Sequence, residues 1–304
     1  MTLVDDLVRA RIERGGPIRF DDVVAAALYE QAGGFYTSGG HAGRAGDFLT
    51  SPEVGPLFGT VVARALDTWW QEAGSPPVFV VVEVGAGPGT LARTVLHAAP
   101  ACASALRYVL VETSPTQRAR HAEHLPLEDP AAAFASPSDP GDDESARALP
   151  GGPIVVSLAE RPRVGGSCVV LANELLDNLP FGLAERTATG WCEVFVGHER
   201  GSLCEVLVPL DPSSADRLAA LAPEAATGAR VPLPRAAAAW LSDAMALAGP
   251  GGRVVAFDYA ASTASLAARP SDEWLRTYRR HERGGPALAA LGTQDITCEV
   301  AVAQ

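Results

Sequence analysis

Residues 78 to 90 constrain this chain more than any other segment. Val78 to Val84 is an almost unbroken run of β-branched and aromatic residues, and Gly85, Gly87 and Gly89 follow at alternate positions before Thr90. A short run this apolar, without in-and-out alternation, is what a strand buried on both faces of a parallel sheet requires. The glycines let the chain turn tightly and let a ligand approach the backbone. The helix expected from Thr90 adds unpaired N–H groups and a positive dipole end. Pro88 has no N–H to lose at such a start. A plain strand-to-helix turn explains the same glycines, so both readings stand. The spacing is G-x-G-x-G and lacks the longer G-x-G-x-x-G that seats a pyrophosphate in dinucleotide enzymes. The chain has no lysine, which also excludes a Tyr-x-x-x-Lys oxidoreductase site.

Similar apolar runs recur at Arg107 to Val111, Ile154 to Ser157, Cys168 to Leu171 and Arg253 to Phe257, with helix-compatible Thr90 to Ala98 and Thr116 to His124 among the linkers. That alternation predicts an α/β fold with a doubly wound, Rossmann-like sheet. Residues 1–76 read as an amino-terminal helical cap and glycine-rich loop. Apolar residues recur at helical spacing from 3 to 32 around Gly15-Gly16-Pro17, and again through Leu57, Val61, Val62, Leu66 and Trp69. Between them Gly33 to Pro56 has no period, and a loop of about 24 residues is more often functional than idle. Residues 77–304 read as the sheet domain, with an insertion at about 181–248. Within it Trp191 to Val196 and Leu203 to Val208 alternate as a hairpin, and Ser214 to Ala248 reads as an Ala-rich helical stretch. Asp139 to Gly152 reads as a polar surface loop.

The 24 arginines face 36 acidic residues, a formal charge of −12. Such a surface repels a nucleic-acid backbone; it suits a cationic substrate, and ordinary solubility explains it equally well. The five cysteines form no C-x-x-C pair, and Asp5, Asp6 and Arg9 stand where a secretory signal needs an apolar run, so a cytoplasmic location is expected. No stretch approaches the roughly 20 apolar residues of a membrane span. His121 and His124 lack further ligands nearby, so no metal site is expected.

Three groups of polar residues fall at strand ends. Glu112 follows Arg107 to Val111, where a carboxylate accepts both ribose hydroxyls of an adenosine. Glu83 is an acidic residue in an apolar run, and its burial needs a partner: a ligand ammonium, a backbone N–H, or a cap on its own loop. Asn173, Glu174 and Asp177 follow Cys168 to Leu171 and are expected to face the same crevice as the glycines, because ligands of open α/β sheets lie beyond the carboxyl ends of the strands. Glu174 and Asp177, three apart, can share one face of a helical turn; alternatively Asn173 or Asp177 caps a helix. A basic run from Arg276 to Arg280 reads as a solvated helix face, and His41 lies in the glycine-rich loop without a named partner.

Taken in order, Gly33-Gly34-Phe35-Tyr36, Gly46-Asp47-Phe48-Leu49-Thr50-Ser51-Pro52-Glu53, Glu83 to Gly89, and Asn173-Glu174 with Asp177 and Pro180 resemble the MidA/NDUFAF7 family of S-adenosylmethionine (SAM)-dependent methyltransferases. Trp191, Asp258-Tyr259, Leu275 to Arg280 and Asp295-Ile296-Thr297 extend the resemblance from about residue 16 to the end. It implies a Rossmann-like methyltransferase fold, SAM as cofactor and, in the mitochondrial branch, arginine methylation of a respiratory complex I subunit. The residues expected at the cofactor are Glu83, Gly85, Ala86, Gly87, Gly89, Thr90 and Glu112, with Thr50, Ser51, Pro52 and Glu53; Asn173, Glu174 and Asp177 are the expected catalytic set. The family's D-Y-G is Asp258-Tyr259-Ala260 here, and its D-[IL]-T-A-H-V-D-F is Asp295 to Val302. The family's last helices and strand do not follow, so an open sheet edge is expected to invite a partner or a second copy.

With this resemblance, the expected mechanism is direct methyl transfer to a guanidinium nitrogen of a protein, with Glu174 and Asp177 orienting the acceptor and taking its proton. Two other readings stay open: a small-molecule N- or O-methyltransferase, and a SAM-binding assembly factor without turnover.

Overall fold

The computed structural model describes residues 2–38, 55–134, 151–279 and 282–304. These separate into two compact units: one takes the described residues of ranges 49–173 and 242–256, the other those of ranges 1–48, 174–241 and 257–304.

The first unit is built on a five-stranded sheet. Its spatial order is Arg253–Phe257, Val169–Asn173, Phe79–Val84, Leu106–Val111, Ile154–Leu158. Phe79–Val84 pairs in parallel with Leu106–Val111, placing Val84 opposite Val111, and with Val169–Asn173, placing Val84 opposite Ala172. Leu106–Val111 pairs in parallel with Ile154–Leu158. The expected strands are all present, within one or two residues at their ends. Their burial on both faces explains the unbroken apolar runs, since Leu106–Val111 is buried throughout and Phe79–Val84 at every position but the last. The first three strands step one way across the sheet and the fourth and fifth the other. The reversal between Phe79–Val84 and Val169–Asn173 is the switch point at which such sheets open a ligand crevice.

Helix Thr90–His97 follows the glycines directly. Helix Pro56–Glu72, which the sequence groups with an amino-terminal cap, belongs to this unit. Its Asp67 accepts a hydrogen bond from the Cys102 backbone N–H at 3.0 Å and pairs with Arg64 at 2.8 Å. Gly59 lets the helix approach Thr90–His97 so closely that a Cβ there would overlap both the side chain and the backbone of Thr94.

The second unit packs helices Leu3–Gly15 and Phe20–Tyr29, both expected, on an antiparallel sheet. Val4, Val8, Phe20, Leu28, Leu183 and Val194 meet in its core. The expected hairpin is there and longer than its alternation suggested: Gly190–Glu199 pairs with Ser202–Pro209. Arg200 and Gly201 close it with φ of 49° and 84°, both in the left-handed region that a two-residue turn matching strand twist demands.

Two expectations fail in this unit. The stretch from Ser214 to Ala248 is helix Pro212–Leu221, strand Arg230–Leu233 and helix Arg235–Ala248. Pro223 and Gly228 interrupt the helix, and Arg230–Leu233 gains an antiparallel ladder with Gly182–Thr187 in which Pro232, at the sheet edge, costs nothing. The run from Leu275 is likewise a strand, Leu275–Arg279, hydrogen-bonded to Asp295–Cys298 and to Glu282–Arg283. Arg276 in it pairs with Glu299 at 3.2 Å. Arg280 lies outside the described residues, as does most of the polar segment from Asp139 to Gly152.

The close helix approach at Gly59 has a measurable consequence. Alanine favours a helix by about 1 kcal/mol over glycine, but forcing a methyl into a filled contact costs roughly 1–3 kcal/mol. Gly59→Ala is therefore expected to lower the urea midpoint despite its better helix propensity, and a raised midpoint would show that the two helices do not touch there.

Candidate functional site

The glycine loop is shaped from both sides. Gly85, Gly87 and Gly89 have φ of 71°, 54° and 82°, conformations that side chains resist. The loop is pinned to the neighbouring strand, since Gly85 and Ala86 donate their N–H groups to Val111 O at 2.9 and 3.1 Å. Gly87 is held at both of its peptide groups. Its N–H donates to Glu112 Oε2 at 2.9 Å, and its carbonyl accepts from His121 Nε2 at 2.8 Å. One side of the loop is walled: a Cβ on Gly89 would meet Leu110, Leu125 and His121 at 3.2 to 3.3 Å. The other side is open, with no atom within 4 Å of a Cβ built on Gly87.

Glu112 stands at the tip of the second strand, beside the loop, as expected. Its Oε1 accepts the Ser114 N–H at 2.7 Å while Oε2 takes Gly87, and each oxygen keeps a further lone pair. Burial pushes its carboxyl above the usual range, and the N–H groups of Ser114 and Gly87 oppose that shift. Glu83 is buried, 3% exposed, beneath the loop. Its Oε2 accepts from the Tyr108 hydroxyl at 2.6 Å, and it also takes the Ala92 N–H in the first turn of the following helix. Of the partners open to Glu83, the structure supplies internal ones. Burial still dominates and raises its pKa to about 7. Thr90 begins the helix after the loop, and Ala86 is buried at the bend. Asn173 ends the fourth strand, and its Oδ1 is buried without a hydrogen-bond partner among the described residues.

His121, for which no metal site was expected, has a structural task. His121 is fully buried, with Nδ1 at 2.8 Å from Ser157 Oγ and Nε2 on Gly87 O, so both ring nitrogens are engaged by protein. No group of three metal-binding side chains occurs among the described residues. Tyr108, His121 and Ser157 are the loop supports that sequence reasoning missed. A hydroxyl inside the apolar strand Leu106–Val111 was the available signal for Tyr108; the other two become visible only through strand adjacency.

In the second unit, acidic side chains gather around a short turn, Leu176–Asn178. Glu174 has φ of 49°, a strained conformation for a non-glycine, and donates its N–H to Phe257 O at 2.8 Å. Asp177 is buried; its Oδ2 accepts from Thr297 Oγ1 at 2.7 Å, and its Oδ1 has no partner among the described residues. Burial first, then the charges of Asp258, Asp295 and Glu174, push the Asp177 carboxyl well above its ordinary range. The capping role that the sequence offers to Asn173 or Asp177 falls to Asp258. It accepts the N–H groups of Leu175 and Leu176 at 3.1 and 2.7 Å. Asp295, 1% exposed, accepts from Tyr36 Oη at 3.0 Å and from Asn178 Nδ2 at 3.1 Å. A cation placed among these carboxylates would relieve both their repulsion and their desolvation. Thr50, Ser51, Pro52, Glu53 and His41 lie outside the described residues.

Comparison with known proteins adds to this geometry. A family model described as "Putative S-adenosyl-L-methionine-dependent methyltransferase" matches residues 61–304. The rat "Protein arginine methyltransferase NDUFAF7, mitochondrial" is 26% identical over 95% of this chain and 66% of its own length. A Drosophila melanogaster homologue of that protein is 43% identical over 29% of this chain and 20% of its own length. The chain thus spans less than two thirds of the length of these relatives. The crystal structure of a Burkholderia thailandensis protein bound to S-adenosyl-homocysteine superposes with a TM-score of 0.78 at 28% identity, covering 98% of this chain and 73% of that one.

The buried Glu83 generates a pH-dependent prediction. Its proton affinity is higher in the fold than in the unfolded chain, so the fold loses stability as pH rises from about 4.5 to about 7. Glu83→Gln, which keeps an acceptor for Tyr108, removes that loss. The variant's stability relative to the parent should rise by up to roughly 3 kcal/mol between pH 4 and pH 8; a pH-independent difference in denaturation curves would rule out the shift.

Proposed function

Because the chain belongs to the MidA/NDUFAF7 family of S-adenosyl-L-methionine-dependent methyltransferases, we propose that it binds that cofactor on the glycine loop and methylates a guanidinium nitrogen of a protein arginine. The observation that carries the cofactor half is the doubly held Gly87, whose loop is walled behind and open in front, beside Glu112.

The residues present fit the group. Glu112 retains lone pairs for ribose hydroxyls, Gly87 leaves room for close approach to the backbone, and the buried Asn173 Oδ1 is an acceptor that no described residue satisfies. Thr90 opens the helix whose first N–H groups point toward the loop, and Glu83 holds that turn from below through Ala92. When bound, S-adenosylmethionine supplies an electrophilic methyl group on a sulfonium. The protein's own contribution is alignment, which can lower a barrier by about 7 to 11 kcal/mol.

For the acceptor, the reading assigns Glu174 and Asp177, as the family resemblance implies. The relatives named as protein arginine methyltransferases support this substrate class, and so does the acidic surroundings of Asp177. A guanidinium entering that group would displace the proton that burial favours on Asp177. The ionised carboxylate left behind is paired with the guanidinium and oriented by the Thr297 hydroxyl. It can then take back a proton as the guanidinium nitrogen is alkylated.

The test is label transfer from methyl-labelled cofactor to arginine-containing protein acceptors. Glu174→Gln and Asp177→Asn are expected to retain cofactor binding and to lower turnover by about 10²-fold or more; undiminished turnover would remove both from the mechanism. Gly87→Val should abolish cofactor binding in calorimetry, and Glu112→Ala should weaken it by at least about tenfold. Cofactor binding without transfer to any arginine acceptor would favour an assembly factor without turnover.

A further inference from the structure

Gly87 is positioned by two side chains with opposite duties. Glu112 holds its N–H on the side where the ligand is expected, and His121 holds its carbonyl on the walled side. The carbonyl can only accept, so His121 Nε2 must carry a proton there. Neutral imidazole then has Nδ1 as acceptor, and the Ser157 hydroxyl, 2.8 Å away on the neighbouring strand Ile154–Leu158, donates to it. Burial lowers the imidazole pKa and favours this neutral form. The result is a relay from the third strand tip to the glycine loop, passing behind Leu106–Val111, with every hydrogen-bonding atom satisfied. Nothing in the chemistry of methyl transfer calls for a fully buried histidine here. Its cost is explained if the loop must be held in shape before a ligand arrives, because a binding site that is already ordered loses less entropy on association.

We propose that His121, oriented by Ser157, is a positioning residue for the cofactor: it fixes the Gly87 carbonyl against the walled side, so the loop presents its open face with the cofactor absent. The inference rests on the cofactor reading above. His121 acts through Gly87 and touches neither donor nor acceptor, so its loss shows in cofactor affinity and loop order while turnover at saturating cofactor stays the same.

The experiment uses the full chain and S-adenosyl-homocysteine as the probe. His121→Leu, which removes both hydrogen bonds at similar volume, should weaken binding measured by calorimetry about tenfold or more. It should raise KM for the cofactor in proportion and leave kcat within about twofold. His121→Gln, whose amide nitrogen can still donate to Gly87 O, should recover most of the affinity. In the ligand-free protein, amide exchange at Gly87 and Gly89 should quicken about tenfold in the leucine variant and little in the glutamine variant. A folded leucine variant with parental affinity and parental exchange overturns the proposal, and so does a fall in kcat with affinity unchanged. Should the leucine variant fail to fold, Ser157→Ala takes its place; it should weaken binding several-fold, and parental affinity there counts as refutation. If the parent protein binds no S-adenosyl-homocysteine, the cofactor reading fails by itself, and the exchange measurement still decides whether His121 orders the loop.

Discussion

The in-register parallel pairing of Phe79–Val84 with Leu106–Val111 is the constraint on which the glycine loop depends. Because Val84 lies opposite Val111, the first residues beyond each strand meet at one level. Gly85 and Ala86 can then bond to Val111 O, and Glu112 can reach back to Gly87. A slip of one residue would turn the Glu112 side chain to the opposite face of the sheet and leave the Gly87 N–H without its acceptor. The glycines are necessary for the loop's path, since three of them hold positive φ, but the partner strand decides where that path lies.

Glu112, Glu83 and Asp177 are buried in three different ways, and each has a distinct physical outcome. Glu112 is half-buried but receives two backbone N–H groups, so desolvation is largely opposed. Glu83 is completely enclosed and has one hydroxyl and one N–H for company, which leaves its pKa near 7. Asp177 is enclosed with other carboxylates for neighbours, and one of its oxygens bonds to nothing among the described residues. The first arrangement can accept ligand hydroxyls while ionised, the second supports a loop, and the third stores an electrostatic deficit that a cation would relieve. The same carboxylate group therefore serves as ligand holder, brace and candidate acceptor site according to what surrounds it.

Much of the sheet was legible from composition along the chain. Strands buried on both faces cannot alternate, so Val78 to Val84 and its counterparts announced themselves as apolar runs, and the G-x-G-x-G spacing marked the loop between strand and helix. The hairpin at Gly190–Glu199 and Ser202–Pro209 was readable because its two runs alternate around Gly197 to Ser202, although its tight closure at Arg200-Gly201 was not. Arg230–Leu233 was not, because four residues beside alanine-rich helices carry too little period to compete with the helical signal. Leu275–Arg279 misled for the opposite reason: its arginines suggested a charged helix face, while the ladder with Asp295–Cys298, twenty residues away, set the backbone.

By itself the sequence determined the parallel-sheet core, the presence of a glycine loop at a strand end, and the acidic residues at the following strand tips, because local periodicity and residue chemistry specify these without reference to distant segments. Only the tertiary structure decided that Glu83 is satisfied by Tyr108, that His121 supports Gly87, and that Asp258, not Asp177, caps the turn at Leu176. Each of those pairings joins residues at least 25 positions apart. Hydrogen bonds of that reach are set by which strands lie side by side, a choice that sheet topology makes and residue order along the chain does not reveal.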